Sequence, residues 1–174
     1  MRRRPLLVAD RERERVSLLA CWCGKVALMP DEPSFADVEA RYAGRLAAMD
    51  AGSTQRLRDA AARLDAASSV GGWVEPPRAP GAGPTLPVPQ LSIDAAALIT
   101  VINSLDIDIP FDWPHWSRGR WLAEKPDHAS EATPAEAAML LNTVQRFDRF
   151  SDGALLKAFE DGVVQAAARR MLEA

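Results

Sequence analysis

The sequence predicts an all-α protein, a small helical bundle, and three observations carry that prediction. Its 48% apolar content leans on alanine, with aromatics at only 6%. Alanine is the best helix former but buries little area per residue, so modest helix-on-helix cores suit it. Apolar residues recur at spacings of three and four through most of the chain. Finally, the glycines and prolines fall between these periodic stretches, where they punctuate helices.

Taken in order, the first apolar stripe runs over about residues 10–28, with Val16, Leu19, Ala20, Cys23, Val26 and Ala27 inward, and Pro30 and Pro33 end it. Ser34 is placed to cap a second helix over about 34–51. Asp37 favours its positive end, Phe35, Val38, Tyr42, Leu46 and Met49 mark a buried face, and Gly52 is placed to close it in a left-handed conformation. A third helix, about 54–68, starts at Ser53 or Thr54 and turns Leu57, Ala60, Ala61 and Leu64 inward. Residues 71–91 then hold six of the 13 prolines and four of the 10 glycines, which reads as an extended linker or strap that Trp73 anchors.

Beyond the linker, Ser92 or Asp94 caps a helix over about 93–105, carrying Leu98, Val101, Ile102 and Leu105. The stretch DIDIPFDWPHW alternates apolar and acidic residues, and Pro110 makes it an extended loop rather than a strand. Pro114 fits a short helix capped by Asp112 and bearing Trp116 and Trp121. Thr133-Pro134-Ala135-Glu136 is a capping box with proline at the first helical position. It opens a helix over about 134–149 with Leu140, Val144 and Phe147 buried. Ser151 caps the last segment, about 152–172, which Gly162 breaks. This divides the chain into an amino-terminal helical segment, 1–70, a Pro/Gly-rich linker, 71–91, and a carboxyl-terminal helical domain, 92–174.

Net charge is −3, and residues 71–174 are the acidic part. The basic start, Arg2, Arg3, Arg4, Arg11, Arg13 and Arg15, is interleaved with Asp10, Glu12 and Glu14, so nucleic-acid binding is a third choice behind protein and small-ligand binding. Leu6, Leu7 and Val8 are interrupted by charge at once, and no apolar stretch approaches the roughly 20 residues that span a bilayer, so a cytoplasmic protein without a membrane partner is expected. Cys21 and Cys23 are too close for a comfortable disulfide and too few for a thiolate zinc site, and no metal or cofactor is expected.

Several residue groups carry chemistry in principle. Asp106, Asp108, Asp112 and His115 are the inventory of a divalent-cation or acid–base site, although aspartate before a helix also serves as turn and cap. His128 stands in a loop where exposure is expected. Trp113, Trp116 and Trp121 provide core area or a binding patch. Arg146 and Arg149, three apart, share a helix face and can clamp a phosphate or carboxylate, or pair with Asp148, Asp152, Glu160 or Asp161. Arg169 and Arg170 complement the negative end of the last helix. Phe150 is expected to plug a helix junction, Gly153 to allow close packing or an unusual backbone angle, and Arg149 to be the functional neighbour of both.

The stretch LLNTVQRFDRFSDGALLKAFEDGVVQAAARRMLEA, with Arg146, Arg149, Phe150, Asp152, Gly153, Gly162, Arg169 and Arg170 in position, resembles a bacterial domain family of unknown function. FDWPHW, Phe111 to Trp116, lies where that family has an aromatic segment, so the resemblance spans about 92–174. It implies a helical fold and supplies no activity. There is no phosphate-binding glycine loop, GxSxG, HExxH or CxxC pair. The expected function is therefore a helical interaction module that binds another macromolecule, a protein or a second copy. The runner-up is an enzyme or binding protein for a phosphorylated or nucleotide-like ligand. Trp113, His115, Trp116, Arg146, Arg149 and Asp152 are the binding candidates, and no catalytic residue is assigned.

Overall fold

The computed structural model describes residues 33–77, 81, 83 and 85–174. The expected helix over 10–28, the basic start and both cysteines lie outside them. Helices dominate the described residues, as the periodicity predicts, with one two-stranded antiparallel sheet. In chain order these are α1 (Phe35–Ala47), α2 (Ala51–Ala66), β1 (Gly71–Val74), β2 (Val88–Leu91), α3 (Ile93–Ser104), α4 (Ser117–Leu122), α5 (Pro126–Ser130), α6 (Pro134–Asp148), α7 (Ala154–Glu160) and α8 (Val163–Met171). A 3-10 turn at Trp113–His115 precedes α4.

Caps set these boundaries. Ser34 and Asp37 close a reciprocal capping box on α1, and Thr133 and Glu136 close one on α6, so each box satisfies two backbone amides that the helix itself leaves unpaired. Ser92 caps α3 through the Ala95 amide. The expected start of α2 at Ser53 or Thr54 is corrected: Asp50 is the cap, its carboxylate accepting from the Ser53 amide and hydroxyl. These bonds hold its carboxyl below the usual range, with the Ser53 side-chain bond contributing most. Gly52 therefore lies in the first turn of α2 and does not close α1. Gly153, with φ +84°, starts α7 in place of Ser151, and Gly162, with φ +81°, separates α7 from α8 as expected.

The sequence leaves open whether the helices on the two sides of residues 71–91 share a core. Val38, Tyr42, Leu46, Leu57 and Leu64 join Leu98, Ile102, Leu140, Val164 and Met171 in one buried cluster, so helices on both sides of the Pro/Gly-rich stretch share a core. Residues 33–174 form one compact unit. The stretch itself is a hairpin whose ends pair, Gly71 with Leu91 and Val74 with Val88. Pro89, opposite Trp73, is tolerated because both strands of a two-stranded sheet are edges, where a missing amide leaves no ladder gap. Trp73 does act as an anchor: its ring lies on Gly153, where an added Cβ would come within 2.6 Å of the indole.

α6 is the central element, packing against α1, α4, α7 and α8. Its buried residues mix Ala135, Ala137 and Ala138, which allow close approach of neighbouring helices, with the larger Met139, Leu140 and Leu141, which fill the core. Between α3 and the 3-10 turn the chain is extended, with Ile107 and Ile109 buried and Asp106 and Asp108 exposed, the alternation that the sequence displays.

Candidate functional site

One edge of α6 carries Ala138, Asn142, Gln145 and Arg146 at helical spacing, with Arg149 at its C-cap, and α3 with the extended segment faces it through Ile102, Asn103, Ile107 and Asp108. Together they line a cleft of about 230 Å³. The amide Nδ2 of Asn142 donates to Tyr42 Oη at 2.7 Å and to Asp108 Oδ1 at 2.7 Å. Arg146 Nη2 donates to the same Asp108 oxygen at 2.5 Å. Tyr42, fully buried on α1, donates its hydroxyl proton to the Ile109 carbonyl at 3.2 Å. The chain Tyr42–Asn142–Asp108–Arg146 thus ties α1, α6 and the extended segment at the cleft's wall.

The electrostatics follow from these contacts. Asn142's hydrogen bond first, then the charges of Arg146 and Arg149, hold the Asp108 carboxyl below the usual carboxylate range against partial burial. Burial pushes the Tyr42 phenol up, against the opposing bonds from Ile109 and Asn142. Tyr42 is the single tyrosine of the chain, so the ultraviolet absorbance of tyrosinate reads it alone. A folded-state pKa above the unfolded value means that the group adds stability below the unfolded pKa, lost as pH rises through the folded one. The expected result of an alkaline titration is therefore an ionisation displaced above 10 and coincident with loss of helical circular dichroism. A tyrosinate signal at the ordinary position in a still-folded chain would contradict the buried network.

The expected candidates separate into groups. Arg146 and Arg149 do share the cleft, but the partner of Arg146 is Asp108 rather than any acid of the last segment. Asp148 instead accepts from the Leu155 amide and caps α7. His115 lies outside the cleft lining and pairs with Asp112 at 2.7 Å on the 3-10 turn. Asp106 pairs with Arg45 at 2.7 Å. The acidic stretch with its histidine therefore does not converge, and the described residues hold no group of three His, Cys, Asp or Glu fit for a metal ion. Of the two roles open to the tryptophans, Trp116 takes the core one: it is 4% exposed, edge-on to Phe111, with its ring over Gly119. His128 is half-buried on α5 rather than exposed in a loop, stacked 3.9 Å from Trp121 and donating Nδ1–H to the Trp121 carbonyl at 2.8 Å; Arg118 covers that indole, 4.4 Å from the ring centre. Arg169 and Arg170 tie elements together, to Asp65 of α2 at 2.7 Å and to the Ala132 carbonyl at 2.8 Å.

Phe150 gives the largest correction. It does not plug a junction: it is 79% exposed and stacks on half-buried Trp113, 6.3 Å between ring centres, with Phe147 edge-on to the same indole at 6.3 Å. Arg149 and Asp152 are exposed in the same turn. Asn142, Gln145 and Tyr42 are site residues beyond the sequence candidates; the four- and three-residue steps from Ala138 to Arg149 signal the first two.

No described helix is long and apolar enough to cross a membrane. No curated protein and no solved structure matches the chain. A model of a family of unknown function, DUF6508, matches residues 49–174, which extends the similarity upstream of the segment legible by eye to take in α2 and the hairpin. The chain belongs to this family of unknown function, DUF6508.

Proposed function

We propose that this protein is a helical interaction module of the cytoplasm that binds a protein partner through the turn after α6. The observation that carries the reading is Phe150, a large ring 79% exposed yet held in place by Trp113. A preorganised aromatic loses little side-chain freedom on binding, and aromatic residues and arginine are enriched in protein interfaces. Arg149, exposed next to it, adds a charge-assisted donor. The partner surface fitting this chemistry has an apolar socket with an acidic residue at its rim.

The runner-up, an enzyme for a phosphorylated or nucleotide-like ligand, loses support because Asp112 and His115 stand outside the cleft of Arg146 and Arg149. Site-specific photo-crosslinking tests the protein-binding reading in the native host. A photoreactive side chain at position 150 is expected to trap one discrete adduct that the same group at exposed Arg58 does not. Equal, diffuse labelling from both positions would overturn it. An adduct of twice the chain mass would identify the partner as a second copy.

A further inference from the structure

The cleft on α6 adjoins the Phe150 turn and shares Arg149 with it, but it is walled by other residues and its chemistry is specific. Of its lining residues, Arg146, Arg149 and Asp108 are charged, two guanidiniums against one carboxylate. Asp108 is engaged: both Asn142 and Arg146 donate to its Oδ1, which fixes the Arg146 guanidinium against the wall. Arg149 makes no side-chain hydrogen bond among the described residues. The side-chain amides of Asn103 and Gln145 also line the space, and Ile102, Ile107 and Ala138 form its apolar part. We propose that this cleft binds a small organic monocarboxylate, its carboxylate held by Arg149 and the free edge of Arg146 and its short apolar body laid against the edges that Ile102 and Ile107 leave open.

Three arguments select that class. The lining carries one net positive charge, which a monoanion balances; a phosphate dianion would leave an excess negative charge beside Asp108, which is kept ionised. A guanidinium presents a planar fork that matches the two oxygens of a carboxylate. The volume, about 230 Å³, is below the range of roughly 300–1,000 Å³ that takes drug-sized ligands, so only a small body fits.

The test is a nuclear magnetic resonance titration of the full-length, isotope-labelled chain with butyrate, n-butylammonium and inorganic phosphate. Butyrate is expected to give saturable shifts at the Asn142 and Gln145 side-chain amides and at the Arg149 Nε–H, with phosphate binding more weakly and butylammonium causing no shift there. Arg149 is exposed, so Arg149→Ala should keep the dispersed amide spectrum while weakening butyrate about tenfold or more, the ratio expected for one lost charge-assisted hydrogen bond. Arg149→Lys should recover part of the loss by keeping the charge without the fork. Phosphate binding more tightly than butyrate, butyrate shifts scattered away from the cleft, or Arg149→Ala binding butyrate like the parent chain would each overturn the proposal. The crosslinking result at position 150 can fail independently of this one.

Discussion

Phe159→Ala should cost about 3–5 kcal/mol of folding stability, whereas Phe150→Ala, nine positions earlier on the same family-like stretch, should cost less than about 1 kcal/mol. Phe159 on α7 is 1% exposed and belongs to the core cluster, so truncation removes its burial and leaves a cavity that the surrounding α6 and α8 side chains fill only in part. Phe150 is mostly in water already, so removing it forfeits mainly its stack on Trp113. Denaturant unfolding of the two variants checks the pair. Equal destabilisation would restore the junction-plug reading of Phe150 and remove the main support for its binding role.

Gly119→Ala should be destabilising, at the upper end of about 1–3 kcal/mol, even though alanine is favoured over glycine in a helix by about 1 kcal/mol. The sign is decided by space. A Cβ at position 119 would stand 1.9 Å from Trp116 Cε3 and 2.5 Å from Cδ2, atoms in the body of the ring rather than at a flexible end. Trp116 is buried and edge-on to Phe111, which in turn meets Tyr42 edge-on, so the ring has nowhere to retreat without moving the row behind it. Thermal unfolding followed by tryptophan fluorescence gives the answer. A higher melting temperature for the alanine variant would mean that the indole does not lie over the glycine.

The helices were legible because their signals are local. The Thr133 to Glu136 box and the spacing of Val38, Tyr42 and Leu46 depend only on backbone caps and on the 3.6-residue period. What escaped depends on distant parts of the chain. Whether Phe150 plugs or projects depends on where Trp113 stands, and no local pattern encodes that. The hairpin was hidden because Pro89 and four glycines argue against a strand in general, while an edge of only two strands accepts them. The start of α2 was misplaced because Asp50 and Ser53 are both competent caps, and the carboxylate took the role by accepting two bonds from Ser53. In the cleft, the arginines were visible from their spacing. The aspartate that orients Arg146 lies 38 residues away, where its sequence neighbours Asp106 and Asp112 suggest a different grouping.

The bond between Tyr42 and Asn142 joins residues 100 positions apart, and the Asp65–Arg169 pair spans 104. Native contacts of this span slow folding relative to bundles built from neighbouring helices, because loop closure must precede the reward of packing. At ribosomal rates of about 5–20 residues per second, the apolar face of α1, Val38, Tyr42 and Leu46, emerges roughly 5–20 s before the α6 residues that cover it. During that interval α1 is an uncovered amphipathic segment, the form of nascent chain that chaperones hold. Slowing translation between α1 and α6 should therefore lengthen its chaperone-bound phase without altering the finished fold.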